Sequence, residues 1–158
     1  MDKKLKRKAE IGVSTIEADI FNSTVRHSDK TLAAMNQLLS IWGMTVLQHA
    51  ALRVIYIYDT EGTGIPSGEI GKHLVTRVPD MTRLLDRMAD KGWLVRERDA
   101  ANRRIVRARL TEIGIELVES AHSSLAALEK EQLEHMSVVD KRELKRLLAL
   151  AALGKTGE

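Results

Sequence analysis

Apolar residues recur at helical spacing from the first third of the chain onward. A first helix is predicted from residues spaced three, four and three apart: Leu32, Met35, Leu39 and Trp42. Asp29 is positioned to cap that helix, and Gly43 to end it. A second helix is predicted to begin at Thr45, because Gln48 completes the capping pattern T-x-x-Q. Such a narrow apolar stripe favours helix-on-helix packing, either within one chain or between two.

Two further helices are predicted around a short linker in the middle of the chain. Turn-forming residues at 61–66, EGTGIP, precede them, with Ile65 in a short strand. Ser67 is expected to cap the third helix, and Pro79 suits the first position of the fourth, where its fixed φ is helical. The fourth helix has one strongly apolar face, formed by Met81, Leu84, Leu85 and Met88. Two short helices with a tight connection indicate a helix-turn-helix.

A β-hairpin is predicted after Gly92, which ends the fourth helix. Apolar and charged residues partly alternate at 93–98 and again at 105–110, as in strands with one solvent-facing side. Residues 99–104, DAANRR, are long enough for an open loop between the strands. A hairpin directly after a helix-turn-helix is typical of the winged version of that fold.

The predicted fold is mainly α with a small β-hairpin wing, a winged helix-turn-helix with long terminal helices. Thr111 is expected to cap a helix that reaches about residue 134, and Ser137 with Asp140 caps the last one. The expected organisation is a basic N-terminal arm, a single domain and a tail: 1–28, 29–153 and 154–158. Within the domain, a lobe with the wing is expected at about 45–110, and the terminal helices at about 29–42 and 111–153.

Positive charge is concentrated in the predicted winged segment. Residues 77–109 contain ten basic and five acidic side chains, while the whole chain has a formal net charge of only +3. A local basic surface on a nearly neutral protein suggests a polyanionic partner such as DNA. A solvated arginine-rich face is the alternative explanation.

The outward positions of the fourth helix are candidates for contacts in the DNA major groove, and they comprise Asp80, Thr82, Arg83, Asp86 and Arg87. Thr82 can reach a phosphate or a thymine methyl group, and Arg83 can bind a guanine edge or a phosphate. Alternatively, the arginines pair with the acids of the same helix at helical spacing.

Arginines also occupy both strands and the loop of the predicted hairpin. Arg103 and Arg104 lie in the loop, from which a guanidinium can enter a narrow minor groove. The strand arginines either approach DNA or occupy the solvent face of the ribbon, and they are Arg96, Arg98, Arg107 and Arg109.

Nothing in the sequence indicates catalysis. The chain has no cysteine, which excludes disulfides and thiolate zinc sites. Its five histidines form no ligand pair, and it has neither a phosphate-binding glycine loop nor a nucleophile elbow. We therefore expect no metal, no cofactor and no enzymatic activity. No apolar run is long enough to cross a bilayer and no signal core follows the basic start, so a cytoplasmic protein is expected.

Three segments carry a more specific pattern. Residues 45–56 read TVLQHAALRVIY, residues 77–88 read RVPDMTRLLDRM, and residues 102–114 read NRRIVRARLTEIG. They resemble, in that order, the second helix, the recognition helix and the wing of the MarR (multiple antibiotic resistance regulator) family. The likeness covers about 29–153. One departure is Asn102, because the family's wing usually reads D-R-R, and its aspartate helps to fix the wing arginine.

The resemblance implies a DNA-binding repressor that recognises a pseudo-palindromic operator as a homodimer. A small-molecule effector would release it, although no motif places the effector site. The residues expected to contact DNA are Arg77, Asp80, Thr82, Arg83, Arg87, Arg98, Asn102, Arg103 and Arg104. The expected dimer interface of the terminal helices contains Leu32, Met35, Leu39, Leu147 and Leu148.

Two other functions stay open on the same fold. One is a transcription activator, and the other is a dimeric protein-interaction module that no longer binds DNA. Asn102 favours the second of these slightly, because it removes the usual charged partner of the wing arginine.

Overall fold

The computed structural model describes residues 15–153, within which six α-helices and three short β-strands follow one another. The elements are α1 (Ile16–Leu39), α2 (Val46–Tyr58), β1 (Ile65–Pro66), α3 (Ser67–His73), α4 (Met81–Asp90), β2 (Leu94–Arg98), β3 (Val106–Leu110), α5 (Glu112–Gln132) and α6 (Val138–Ala152). This order confirms the predicted fold, a winged helix-turn-helix between long terminal helices.

Helix α1 begins much earlier than predicted. Its cap is Thr15, whose hydroxyl accepts a hydrogen bond from the backbone N–H of Ala18 at 3.2 Å, and Asp29 lies well inside the helix. The prediction of Asp29 as the cap is wrong, because no helix breaker separates it from Thr15 and a cap-forming side chain is also common inside an exposed helix. The predicted boundary of the N-terminal arm at residue 28 therefore falls within α1. Residues 1–14 of that arm and the predicted tail at 154–158 lie outside the described residues.

The junction between α1 and α2 follows the local sequence signals closely. A 3₁₀ turn, Ser40–Trp42, follows α1, and Gly43 ends it with a φ of +64°, in the left-handed region. The capping box of α2 is confirmed. Gln48 N–H donates to the Thr45 hydroxyl at 3.2 Å, and Thr45 N–H donates to the Gln48 side chain at 3.0 Å.

The hydrophobic core collects the inner faces of α2, α3, α4 and the wing. Its largest fully buried side chains are Leu39, Leu52, Ile55, Ile70, Leu85, Met88 and Leu94. Leu39 has 0% exposure, so the prediction that it lies in a dimer interface is wrong. It sits at the end of α1, where the chain turns into α2, and there it fills the core of its own chain.

Both helices of the helix-turn-helix begin differently from what the sequence predicted. Ser67 does not cap α3, because its hydroxyl donates instead to the Val106 carbonyl of β3 at 3.0 Å. Pro79 is not the first residue of α4, because the cap is Asp80, whose carboxylate accepts from the Arg83 N–H at 2.9 Å. A carboxylate satisfies a free amide of the first turn and complements the helix dipole, which proline cannot do.

The wing is an antiparallel sheet in the order β1-β3-β2. Its hairpin strands match the two predicted segments to within one residue, with Leu94 opposite Leu110. Ile65 pairs with Ala108, which ties the turn after α2 to the wing. Gly64, with a φ of +78°, permits this approach, since a Cβ there would lie 3.1 Å from the Ala108 carbonyl oxygen.

Helix α5 packs directly against the chain at the start of the wing. Its predicted cap is confirmed, because the Thr111 hydroxyl accepts from Gly114 N–H and also donates to the Gly92 carbonyl. A Cβ on Gly114 would lie only 2.0 Å from the backbone oxygen of Trp93. Only glycine therefore allows α5 to lie so close to the hairpin.

Helix α6 has its predicted capping box, formed by Ser137 and Asp140. None of its residues is buried. Within the described residues no single helix is long and apolar enough to cross a membrane. The segments Ile16–Trp42 and Val46–Tyr58 reach the length and apolar composition of a membrane span only when they are taken together, and a bend of 73° separates them.

Candidate nucleic-acid interface

Helix α4 has a buried apolar face and an exposed polar face, as its sequence pattern predicts. Leu84, Leu85 and Met88 are buried, and Met81 packs against the same core at the start of the helix. The exposed face contains Thr82, Arg83, Asp86 and Arg87. A helix anchored on one side in this way can present the other side to a DNA groove.

The two arginines of this face are not neutralised by neighbouring acids. Among the described residues, neither Arg83 nor Arg87 forms an ion pair. Asp80 uses a carboxylate oxygen to cap the helix, and Asp86 pairs with an arginine of another element. The arginines of α4 are therefore not paired with the acids of the same helix, which was the alternative that the sequence left open.

An ion pair between Asp86 of α4 and Arg96 of β2 connects the helix to the wing. The Arg96 side chain is only 16% exposed, whereas that of Asp86 is 52% exposed. Sequence reasoning identified both residues but missed the pair, since nothing in the local sequence indicates that the two elements touch.

The loop of the wing is organised by two acceptor side chains. One carboxylate oxygen of Asp99 accepts from the backbone N–H groups of Ala101 and Asn102, both at 2.9 Å. The Asn102 side-chain oxygen accepts a hydrogen bond from the backbone N–H of Arg104 at 3.1 Å. The backbone carbonyl of Asn102 accepts another from the Ile105 N–H at 2.9 Å. Asn102 thus shapes the backbone of the loop, and the side chains of Arg103 and Arg104 stay exposed.

Arg107 stabilises the base of the wing loop with two contacts. It pairs with the second oxygen of Asp99 and donates to the Gly64 carbonyl at 2.8 Å. The hydrogen bond from Arg107 holds the pKa of Asp99 below its ordinary value. From the sequence, Asp99 counted only as a negative charge. An aspartate whose side chain can accept from the backbone N–H groups two and three residues later is, however, a recognisable turn signal.

The arginines of the basic segment fall into two groups. Three of the four strand arginines face acids: Arg96 pairs with Asp86, Arg107 with Asp99, and Arg109 lies 4.0 Å from Glu97. The other group is exposed and forms no ion pair among the described residues, and it consists of Arg77, Arg83, Arg87, Arg98, Arg103 and Arg104. The second group contains every arginine that the sequence nominated for DNA contact.

Comparisons with known proteins match this arrangement. The MarR family profile matches residues 42–105, which run from the 3₁₀ turn after α1 through the loop of the wing. The HTH-type transcriptional repressor Rv2887 of Mycobacterium tuberculosis is 26% identical over 110 residues, which cover 70% of this chain and 76% of the relative.

Solved structures agree over nearly the whole fold. A mutant MarR from E. coli complexed with operator DNA superposes with a TM-score of 0.74 at 25% identity, covering 87% of this chain and 99% of that one. The chain is thus similar to the MarR family in both sequence and fold. CouR from Rhodococcus jostii, bound to p-coumaroyl-CoA, shares the fold at 20% identity, with a TM-score of 0.72 and coverage of 92% and 100%. Like the regulators that it matches, this chain is a transcription regulator and not an enzyme.

The chain also contains a cavity of about 600 Å³ between α1, α2 and α5. Its walls combine apolar side chains, such as Val46 and Leu125, with polar ones, among them His49, Arg53 and His122. Tyr56 donates to Glu119 at 2.9 Å beside it, and this hydrogen bond raises the pKa of the Tyr56 hydroxyl. The cavity arises from packing between segments that are distant in sequence, so no local sequence pattern indicates it.

The terminal helices of the chain expose apolar residues. Leu147 and Leu148 of α6 are 46% and 49% exposed, and Leu32 of α1 is 44% exposed. Met35, which the sequence placed with them, is half-buried against the core and lines the cavity. The N-terminal half of α1 is exposed as well and carries Ile16, Ile20 and Phe21.

Proposed function

We propose that this chain is a repressor that binds a pseudo-palindromic DNA operator as a homodimer and is released by a small organic effector. The observation that carries the proposal is the set of exposed, unpaired arginines on α4 and on the wing. They project from a scaffold that matches a MarR complexed with operator DNA. The protein would act in the cytoplasm, where a bacterial operator is accessible.

In this proposal α4 enters the major groove. Arg83 lies in its first turn and binds a guanine edge or a phosphate, while Thr82 beside it contacts a phosphate or a thymine methyl group. Arg87 follows one turn later on the same face, and Arg77 contacts the backbone before the helix begins. Asp80 contributes indirectly, since its carboxylate caps the first turn that presents Arg83.

The wing enters the neighbouring minor groove. Arg104 is the residue proposed to read the width of that groove, with Arg103 and Arg98 on the flanking phosphates. Asn102 supports this contact by fixing the backbone at Arg104. Its amide oxygen fills a structural role that needs no negative charge, so the departure from the usual aspartate leaves the wing able to bind.

The homodimer is proposed to form through α1, α5 and α6. A 15-residue helix without a buried residue, as α6 is, leaves its apolar side in water unless a partner covers it. Leu147, Leu148 and Leu32 would lie in that interface. A two-fold dimer places its two α4 helices about one helical turn of DNA apart, which explains why the operator should be pseudo-palindromic.

The effector is proposed to bind in the cavity between α1, α2 and α5. That cavity touches both a helix of the proposed dimer interface and the helix that supports the DNA-binding lobe. Its apolar walls with a few polar groups suit a small organic molecule with one polar end. Occupation of the cavity would shift the two lobes of the proposed dimer relative to each other and so change their spacing on DNA.

Selection of bound duplexes from a random pool tests the DNA-binding proposal. We expect an enriched pseudo-palindrome, on which Arg83→Ala loses about 1–3 kcal/mol of binding free energy with relaxed preference at one position. If Arg83 touches only phosphate, the loss is similar on all sequences and the salt dependence becomes shallower. The exposed Arg142 of α6 serves as the control, and Arg142→Ala should bind as the wild type does. No enriched sequence would favour the interaction module, and an operator upstream of a promoter would favour an activator.

A further inference from the structure

The side chain of Arg96 occupies an unusual place for an arginine at a DNA-binding surface. It lies on β2 opposite Ala108, whose methyl group is fully buried, so the small neighbour leaves room for the long arginine stem beside it. The guanidinium emerges against α4 and pairs there with Asp86. Arg96 therefore crosses from the wing to the helix instead of extending into solvent.

The pair is asymmetric in its exposure. Arg96 is largely removed from water, and its Nε is buried with no hydrogen-bond partner among the described residues. A buried guanidinium that loses its carboxylate is left with an uncompensated charge. Among residues 15–153, Asp86 is the only counter-ion within ion-pair distance of Arg96, so opening the pair would leave a poorly solvated charge.

Asp86 also lies on the exposed face of α4, between Arg83 and Arg87 in sequence. An unpaired carboxylate at such a position would repel DNA phosphates. Its pairing with Arg96 neutralises that charge without using either of the arginines that face outward. The arrangement keeps the exposed face basic while fastening the helix to the wing.

We propose that Asp86 and Arg96 are positioning residues for DNA binding, which fix the angle between α4 and the hairpin. The inference rests on the proposed function, because it concerns how Arg83 and Arg104 reach one duplex at the same time. Two DNA contacts on one rigid body reinforce each other. If a flexible hinge joins them, binding must order the hinge, and the entropy lost in doing so weakens the affinity. The ion pair removes that hinge.

Replacement of the carboxylate by an amide separates positioning from simple charge. Removing an acid from a DNA-binding face should tighten binding if only its charge matters. Asp90, an exposed acid at the end of the same helix, provides the matched control. We expect Asp86→Asn to weaken operator binding several-fold or more, while Asp90→Asn leaves it unchanged or slightly tighter. Equal effects of the two substitutions would overturn the proposal.

A double-mutant cycle with the wing separates positioning from general stability. If the pair serves to align the wing, Asp86→Asn should have little effect once Arg104→Ala has removed the wing contact. A substitution that merely loosens the fold would weaken binding by the same factor in both backgrounds. Asp86→Glu, which keeps the carboxylate, should restore most of the affinity. Changed preference at a single base without coupling to Arg104 would instead show Asp86 to be a base reader.

Hydrogen exchange of the free protein provides a measurement that does not depend on DNA. We expect the hairpin amides from Leu94 to Leu110 to exchange faster in Asp86→Asn than in Asp90→Asn. Unchanged exchange of the hairpin would contradict the positioning role even if no duplex binds the wild type. Failure of the wild type to bind any duplex, by contrast, would count against the proposed function alone.

Discussion

Individual arginines of the basic segment differ in what they can do, although they look alike in the sequence. Arg107 is held by Asp99 and the Gly64 carbonyl, while Arg104, three residues earlier, is exposed and unpaired. The period of the strands predicts which side each arginine faces, but it does not show which of them meets an acid. The partners come from α4, β2, the hairpin loop and the turn before β1, and their positions follow from tertiary packing.

Arg104 is expected to contribute to binding and not to folding. Arg104→Ala should weaken operator binding by about 1.5–3 kcal/mol, the scale of a hydrogen bond to a charged group, with the larger loss on A·T-rich flanks. Asn102→Asp should change binding by less than about 1 kcal/mol, since either side chain can accept the Arg104 N–H. Fluorescence anisotropy titrations at two salt concentrations would measure both. Binding of Arg104→Ala equal to wild type at both concentrations would remove the wing from the interface.

His49 is expected to make stability depend on pH. Burial, aided by Arg53 and His122, lowers the pKa of His49 below its ordinary value of 6.5. The unfolded chain then binds a proton more readily than the folded one, so the free energy of unfolding should fall as pH drops below about 6.5. Urea unfolding at pH 7.5 and 5.5 should show this fall in the wild type and in His135→Gln, an exposed control. A fall of the same size in His49→Gln would mean that another group causes it.

At the scale of elements, the helix caps show which features the local sequence can predict. The caps at Thr45, Thr111 and Ser137 were predicted correctly, because each side chain bonds to an amide only three residues away. Ser67 failed because β3 offers its hydroxyl a different acceptor, which only the folded chain brings near. The predicted first helix is too short, because it begins at Asp29 and leaves out the helical spacing of Ile16 and Ile20.

The contact between α5 and the hairpin should depend on Gly114. In Gly114→Ala the new methyl group would meet the Trp93 carbonyl at 2.0 Å, and a backbone atom there cannot move without shifting the wing. We expect a loss of about 1–3 kcal/mol or more in unfolding free energy. Gly68→Ala in α3, where no atom lies within 4 Å, should be neutral or slightly stabilising. Chemical denaturation of both variants measures the difference, and equal stabilities would show that α5 can move away freely.

At the scale of the whole molecule, helix α6 has no buried residue in the single chain. The resemblance places Leu147 and Leu148 of α6, together with Leu39 of α1, in a dimer interface, whereas an apolar helix face alone fits packing within one chain equally well. In the structure Leu147 and Leu148 are about half exposed, whereas Leu39 is fully buried in the core of its own chain. Periodicity reports that a face is apolar and says nothing about what covers it.

Charges on α6 should therefore disrupt assembly. Leu147→Glu together with Leu148→Glu should convert a dimer into a monomer or an unstable chain, because two carboxylates would be buried without partners. Arg142→Glu adds an acid on the opposite side of the helix and should leave the dimer intact. Sedimentation velocity at micromolar concentration would separate these states. A wild-type protein that sediments as a stable monomer would contradict the proposed interface.

Specific binding of duplex DNA by the wild-type protein is the most direct test of the whole account. The measurement is the ratio of its dissociation constants for the selected operator and for a shuffled duplex of the same length, at low and at physiological salt. We expect the operator to bind roughly a thousandfold more tightly or better, with both affinities falling steeply as salt rises. Equal weak binding of the two duplexes, or no binding at low salt, would contradict a sequence-specific repressor.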